Sequence, residues 1–267
     1  KIEKGCIFVC IEGTKTDGHS FAVEAAEKGA AVLVTQKDVE VPKESDIAIV
    51  RTEDTRYALA FLSAAYFGHP AERMKIIGIT GTKGKTTTTY LVKSILEHAG
   101  RKVGLIGTIE AIIGEKHIPA DNTTPESYVL QSYLRQMADA GCDTVVMEVS
   151  SQGLMMHRTQ GFVFDIGIFT NIEPDHIGPN EHTDFEDYMA CKGLLFRQCK
   201  VGIVNCDDAH WQNVTKGHTC ALETYGFSEH ADLQAYDMRL VKSPGSLGVD
   251  FAIRGLADLE VETNTPG

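Results

Sequence analysis

Between Ile77 and Val92 the chain reads IGITGTKGKTTTTYLV. Four successive threonines are a poor choice for helix stability, because a branched β-carbon loses rotamer freedom in a helix. They are a good choice for setting hydroxyls beside the unsatisfied donors of a helix N-terminus. An apolar strand, a turn with Gly81 and Gly84, a lysine and a threonine-opened helix form the context of a phosphate loop. Glycines let successive N–H groups curl around an anion. Lys85 can reach terminal phosphates as a point charge, and Thr86 can offer its hydroxyl to Mg2+. Gly81, Thr82, Lys83, Gly84, Lys85, Thr86 and Thr87 are therefore the candidate phosphate-binding residues. The strict spacing G-x-x-x-x-G-K-[ST] is missed by one residue, since Ile79 stands at the first glycine position and Gly78 precedes it. The loop is a variant; the competing reading is a glycine turn with incidental lysines.

Other residues point to the same edge. The apolar run Asp143–Gly153 carries Glu148 at the end of a predicted strand, where a carboxylate beside a phosphate loop suits Mg2+. A solvated carboxylate on an alternating strand is the alternative. A second strand ends near Thr170 and is followed by Asn171, Asp175 and His176. An imidazole is an unusual ligand for so hard a cation, and a lone histidine is more often a structural hydrogen-bonder. Here Asp175 could orient it, and His182 is a weaker candidate. In the predicted helix Thr183–Arg197, Thr183 and Glu186 have capping-box spacing. Lys192 falls on its apolar stripe with Phe185, Tyr188, Met189, Leu195 and Phe196. Spacing favours a snorkelling lysine with a wet ammonium. The alternative is a desolvated lysine near cations, with a lowered pKa and open to chemical modification. Asn122, Thr123 and Thr124 precede a helix with Pro125 in its first turn. Simple capping by Thr124 is the favoured reading, and presentation of polar groups to a ligand the other.

Positioning such residues requires strands that end together. Strands are expected at Lys75–Ile79, Lys102–Ile106, Thr144–Val149, Asp165–Thr170 and Val201–Asn205, with helices near Thr86–Ala99, Pro125–Ala140 and Asp184–Arg197. That alternation predicts an α/β fold, a parallel sheet with helices on both faces. Residues 1–70 read as a smaller α/β unit, with a strand at Cys6–Ile11, a turn-rich loop at Glu12–Ser20, helices at Phe21–Ala30 and Thr52–Phe67, and two short strands between them. Gly68–Met74 is the expected linker to a second domain spanning 71–267. Beyond Asn205 two apolar stretches suggest β-hairpins.

The 267 residues are 43% hydrophobic and carry a formal net charge of −12, which argues against a nucleic-acid partner. No apolar run approaches the roughly 18 residues of a membrane span, so no membrane insertion is expected. Seven cysteines without a C-x-x-C pair read as reduced cytosolic thiols. The chain opens at Lys1 without methionine and ends in polar residues, and is expected to be a piece of a longer protein.

Taken together, TGTKGKTT, DNTTPE, MEVSSQGL with the following His-Arg, and TNIEPDH with YMACKGLLF resemble, in order, the signatures of the Mur ligases. These are ATP-dependent amide-forming enzymes of bacterial cell-wall synthesis. GTKTDGHSF is similar to their N-terminal UDP-binding segment, and the nearest type is the UDP-N-acetylmuramoyl-tripeptide synthetase (MurE) type. The resemblance implies that residues 81–87 hold ATP and that Thr86, Glu148 and His176 hold Mg2+. It implies a carbamylated Lys192, with Lys85, His176 and Lys192 as the catalytic set. Asn122, Thr123, Thr124, Ser150 and Arg158 would contact the muramoyl-peptide, and Thr14, Lys15 and Thr16 the uridine. The implied substrates are UDP-N-acetylmuramoyl-L-alanyl-D-glutamate and a diamino acid such as lysine or diaminopimelate, handled by a cytoplasmic monomer. Met156 replaces a glutamine usual in this type, the loop before Lys192 is slightly long, and the C-terminal domain that chooses the amino acid is expected to be absent. The alternatives are a folylpolyglutamate- or cyanophycin-type ligase, or a nucleotide-binding paralogue without turnover.

Overall fold

The computed structural model describes residues 2–13, 16–179, 181–243 and 246–263. Among these, fourteen strands form two sheets. The smaller is parallel and holds β1 (Ile7–Val9), β2 (Val32–Thr35) and β3 (Ala48–Arg51) in that order. Its apolar face is closed by α1 (Ala22–Glu27) through Ala22 and Ala25, which pack with Cys10, Ala30 and Leu33. The expected helix over Phe21–Ala30 is shorter at both ends. A tight turn over Gly18–Phe21 precedes it, and Gly29 leaves helical space at φ 80°. α2 (Thr55–Tyr66) opens where Asp54 accepts a hydrogen bond from Tyr57 N at 2.9 Å.

The larger sheet takes β4 (Lys75–Thr80), β5 (Val103–Ile106), β6 (Glu110–Ile113), β7 (Lys116–Pro119), β8 (Thr144–Glu148), β9 (Phe164–Phe169), β10 (Cys199–Asn205), β11 (Ala221–Gly226), β12 (Leu233–Ser243), β13 (Ser246–Gly255) and β14 (Leu259–Thr263). Their order is β14-β13-β12-β11-β10-β9-β4-β8-β5-β6-β7. The strands from β5 to β12 across the middle run parallel; the β12–β13–β14 and β5–β6–β7 edges are antiparallel. The expected hairpin beyond Asn205 is the β12–β13 pair, and β11 adds a parallel strand before it. The β6–β7 hairpin was not anticipated. Its signal is the two-residue turn Gly114-Glu115 after the apolar end of β6, with Gly114 at φ 59°.

Helices cover both faces because the strand residues are apolar on both sides. On one face Ile76, Val145 and Met147 meet Leu130, Leu134 and Met137 of α4 (Ser127–Asp139). On the other, Ile77, Ile79, Val103 and Val146 meet Val92 and Leu96 of α3 (Lys85–His98). Each such side chain contributes about 1.5–3 kcal/mol on full burial. Gly78 leaves room for a neighbour: a β-carbon there would lie 2.7 Å from the Phe164 ring. Strand β4 lies between β8 and β9, so the chain crosses to opposite sides of β4 and leaves a crevice at the carboxyl ends, where ligands of such sheets bind.

Two helix starts differ from expectation. α4 begins at Ser127, not at Pro125, and Thr124 does not cap it. The residue before a proline is held extended, and Thr124 sends its hydroxyl inward instead. α6 (Phe185–Gly193) is capped by Asp184, whose carboxylate accepts from Asp187 N at 2.8 Å, so the capping pair lies one residue beyond Thr183 and Glu186. The helix also ends early, giving way to a tight turn over Leu194–Arg197. α5 (Ser151–Met155) and α7 (Trp211–Val214) complete the set, and no described helix is long and apolar enough to cross a membrane.

A β-carbon on Gly193 would stand 2.3 Å from the Val214 carbonyl oxygen, a backbone contact that cannot rotate away. Gly193→Ala is expected to destabilise the protein by about 1–3 kcal/mol, read as a lower urea midpoint; an unchanged midpoint would show that α7 shifts freely.

Candidate functional site

The loop after β4 is braced from behind. Thr82 N donates to Asn171 O at 2.9 Å, Lys83 N donates to Asn171 Oδ1 at 2.9 Å, and the Asn171 amide and Thr170 hydroxyl both donate to Lys83 O. Lys83 also pairs with Glu173. Gly81 is required twice over: its φ is 151°, and a β-carbon would fall 2.0 Å from Thr170 Oγ1. Gly84, at φ 80°, is the N-cap of α3. The first turn of α3 therefore presents N–H groups that have no intrahelical partner.

Glu148 ends β8 beside this turn and is 1% exposed. It accepts from Thr86 Oγ1 at 3.0 Å, Thr108 N at 2.9 Å and Thr108 Oγ1 at 3.0 Å. Gly107 makes that approach possible, since a β-carbon there would lie 2.4 Å from Glu148 Oε1. Among the described residues no basic side chain forms an ion pair with Glu148. Thr82, Gly84, Lys85, Thr86, Thr87, Thr108, Thr123 and Glu148 line one open cavity of about 330 Å³. Thr108 was missed by sequence reasoning; its signal is its place after β5, at the same carboxyl edge as the other residues.

Lys85 folds back and donates to Gly81 O at 2.8 Å and Thr82 O at 3.0 Å. Burial pulls its pKa down, with Glu148 and Asp175 acting the other way. Lys192 donates to the same Gly81 oxygen at 2.9 Å and sits 4.4 Å from the centre of the Tyr188 ring. It is 1% exposed, so the ammonium does not snorkel. Snorkelling fails because α6 delivers the side chain beneath the loop rather than to the surface. Burial, then the nearby Lys85, lowers its pKa from the usual lysine value to about 7.

His176 stands apart from the cavity lining. It takes a left-handed φ of 55°, its Nδ1 lies 3.2 Å from Glu181 and its Nε2 3.8 Å from Asp175, and its ring is 6.0 Å from that of Tyr188. The Tyr188 hydroxyl in turn lies 3.3 Å from Thr82 Oγ1. Among the described residues His176 makes no contact with Thr86 or Glu148. His182 is fully buried between Ser151 and Asp187.

The expected acceptor-binding residues form a second group. Thr124 is buried, donates to Glu148 O at 3.0 Å and accepts from Ser150 N at 3.0 Å, so it ties β8 to the α4 approach. Ser150 caps α5 by accepting from Gly153 N at 3.0 Å. Arg158 donates to Thr124 O and pairs with Glu126 at 2.7 Å, and Arg56 of α2 approaches the same carboxylate at 3.5 Å. Asn122 is exposed, and Thr123 shares a hydroxyl contact of 3.0 Å with Thr108. Thr16 is exposed on the loop after β1, where its carbonyl accepts from Gly13 N; Thr14 and Lys15 lie outside the described residues.

A strand, a glycine turn, a lysine and a threonine-opened helix at the switch point of a parallel sheet define a P-loop-type α/β protein. The Mur ligase middle-domain model matches residues 79–267, and the Mur ligase family catalytic-domain model matches residues 1–67. The chain belongs to the Mur ligase family. It is 43% identical over 272 residues to the UDP-N-acetylmuramoyl-L-alanyl-D-glutamate–2,6-diaminopimelate ligase of Clostridium perfringens, covering 100% of this chain and 54% of the relative. The corresponding ligase 1 of Clostridium acetobutylicum is 45% identical over 268 residues, with 99% and 53% covered. A solved structure of a ligase of the same description superposes with a TM-score of 0.83 at 25% identity, over 99% of this chain and 54% of that one. The chain spans about half the length of the curated relatives it matches.

Thr86 and Glu148 are oxygen donors held together at a helix N-terminus, a set that suits a hard cation such as Mg2+. Glu148→Gln is expected to weaken Mg2+-dependent nucleotide binding about tenfold or more, as for one lost charged contact. Nucleotide titration with and without Mg2+ measures this, and an unchanged affinity would remove Glu148 from the cation set.

Proposed function

We propose that this chain carries the nucleotide- and acceptor-binding parts of an ATP-dependent amide ligase that joins diaminopimelate to UDP-N-acetylmuramoyl-L-alanyl-D-glutamate in peptidoglycan precursor synthesis. The observation that carries the reading is the shared cavity in which Lys85, Thr86 and Glu148 meet at the first turn of α3. The substrate assignment rests on the names of the relatives.

In this reading residues 81–87 cradle the phosphates of ATP. Thr86 and Glu148 would hold Mg2+, which when bound neutralises charge on the transferred phosphoryl group. The acceptor carboxylate attacks the γ-phosphorus, the bond to the β-phosphate oxygen breaks, and ADP leaves an acyl phosphate. Lys85 turns from the Gly81 and Thr82 carbonyls toward the phosphates and offsets the charge that develops there. The diaminopimelate amine then attacks the acyl carbon, inorganic phosphate leaves, and the nitrogen loses a proton as the amide forms. Ser150, Arg158 and Asn122 line the approach of the acceptor. Thr124 supports them from within, because its hydroxyl is already committed to Glu148 O and Ser150 N. Residues 1–70 hold the uridine end, and 71–267 form the ATP domain. His176, on the loop beside Tyr188, would join the cation set only if that loop moves inward. Free cysteines at all seven positions and the use of ATP support a cytoplasmic setting.

Lys192 is assigned a second role. With its pKa near 7 and 1% of its surface exposed, much of it is the free amine at neutral pH. The amine nitrogen adds to the carbon of CO2 and releases one proton, giving a carbamate. That change places an anion beside Lys85, where a neutral amine had shared the Gly81 carbonyl.

Two measurements test this. In the full-length protein, phosphate release from ATP is expected to depend on the muramoyl dipeptide, and Lys85→Ala to abolish it; slow release indifferent to the dipeptide would indicate a nucleotide-binding paralogue. With labelled bicarbonate, a carbamate carbon signal is expected to grow as pH rises through about 7, because only the deprotonated amine reacts. Its persistence in Lys192→Ala would assign the carbamate elsewhere.

A further inference from the structure

One cluster remains that the ligase reading does not use. His182, Asp187 and Cys191 bring an imidazole nitrogen, a carboxylate oxygen and a thiol within 4.8 Å of one another. Asp187 and Cys191 are four residues apart on α6 and so share a helix face. The Cys191 sulfur lies 3.6 Å from Asp187 Oδ1, and His182 Nδ1 lies 3.2 Å from Asp187 Oδ2. A small rotation of the carboxylate would let one of its oxygens share an ion with the imidazole and the sulfur at bonds of about 2.0–2.3 Å.

We propose that His182, Asp187 and Cys191 form a binding site for a thiophilic divalent cation of the Zn2+ class. The donor set sets the class: a thiolate with an imidazole selects a borderline-soft ion, whereas Mg2+ prefers oxygen ligands alone. Three protein ligands leave a fourth position, and the side chain of Asp187, 36% exposed, opens the site to water and to entry of the ion. His182 and Cys191 lie behind it, 0% and 8% exposed.

The surroundings are built for a metal-bound histidine. Ser151 Oγ lies 2.8 Å from His182 Nε2. When Nδ1 binds the ion, the imidazole proton resides on Nε2 and is donated to Ser151, the outer partner that fixes ring orientation in metal sites. Capture forms one bond each from nitrogen, oxygen and sulfur to the ion, and the thiol proton goes to solvent. Thr183 N already donates to Asp187 Oδ2 at 3.1 Å and holds the carboxylate in place.

Occupancy would reach the loop that carries His176. His182 N donates to His176 O at 3.0 Å, and Gly178 N donates to His182 O at 3.1 Å. An ion joining His182 to α6 therefore pins this turn to the helix that carries Tyr188 and Lys192. None of the three ligands lines the nucleotide cavity.

The test uses the full chain, reduced and metal-free. Zn2+ is titrated against a chromogenic chelator in the presence of excess Mg2+, and Co2+ is added separately to follow the thiolate-to-cobalt charge-transfer band. The expected result is one tightly bound Zn2+ per chain and a charge-transfer band, both lost in Cys191→Ala, with Mg2+ unable to compete. Cys191→Ser guards against a folding defect and is expected to lose the band while keeping the unfolding midpoint. Ser151→Ala keeps all three ligands and is expected to weaken Zn2+ about tenfold, a change that chance binding to another cysteine would not register. Equal Zn2+ affinity and an intact band in Cys191→Ala and Cys191→Ser would overturn the site. Absence of binding to the native chain would overturn it too, and neither result bears on nucleotide turnover.

Discussion

Two ammonium groups meet at one carbonyl oxygen, that of Gly81, and much of the site follows from how that crowding is tolerated. Lys85 arrives half-buried from the first turn of α3, and Lys192 arrives from α6 with 1% of its surface exposed. Like charges this close in a poorly solvated setting favour loss of a proton by one of them. Lys192 is the one that yields, because it is the more deeply buried and Asp175 only partly opposes the effect of burial and of Lys85. Lys85 keeps Glu148 within electrostatic reach. The loop is thereby assigned one permanent cation and one adjustable group.

The crowding is possible only because backbone, not side chain, fills the space between. Gly81 and Gly107 bring main chain to Thr170 and to Glu148 at distances that no β-carbon allows. The bracing of the loop by Thr170 and Asn171 makes the segment just after β9 as much a support of the glycine turn as β4. The same economy links the two sheets: Arg158 and Arg56 converge on Glu126, so the helix after the small sheet and the turn after α5 share one carboxylate.

The parallel sheet was legible because β4, β8 and β9 are apolar on both faces and each is followed by polar residues at the same end. That pattern also disclosed Lys85, Thr86 and Glu148. Other features depended on partners that are remote in the chain. Lys192 has the spacing of a snorkelling residue, and only the Gly81 carbonyl, 111 positions away, reveals a buried one. Thr124 reads as a cap until Glu148 O and Ser150 N claim its hydroxyl. Asp184 and Thr183 compete for the start of α6 on nearly equal local terms, and tertiary packing decides. Thr108 sits on an unremarkable turn whose meaning comes from the carboxylate it holds.

Gly84 and Gly81 differ in what they would forgive. Around Gly84 no protein atom lies within 4 Å of a notional β-carbon, so the chain itself demands only a left-handed backbone, and the open side faces the cavity beside Thr86 and Glu148. Asparagine and aspartate visit that region at modest cost, but a side chain there would fill space that faces the cavity, and a carboxylate would bring negative charge to it. At Gly81 the surroundings are full as well as left-handed. Of the two glycines that shape one turn, one is kept small by the cavity it faces and the other by the Thr170 hydroxyl behind it.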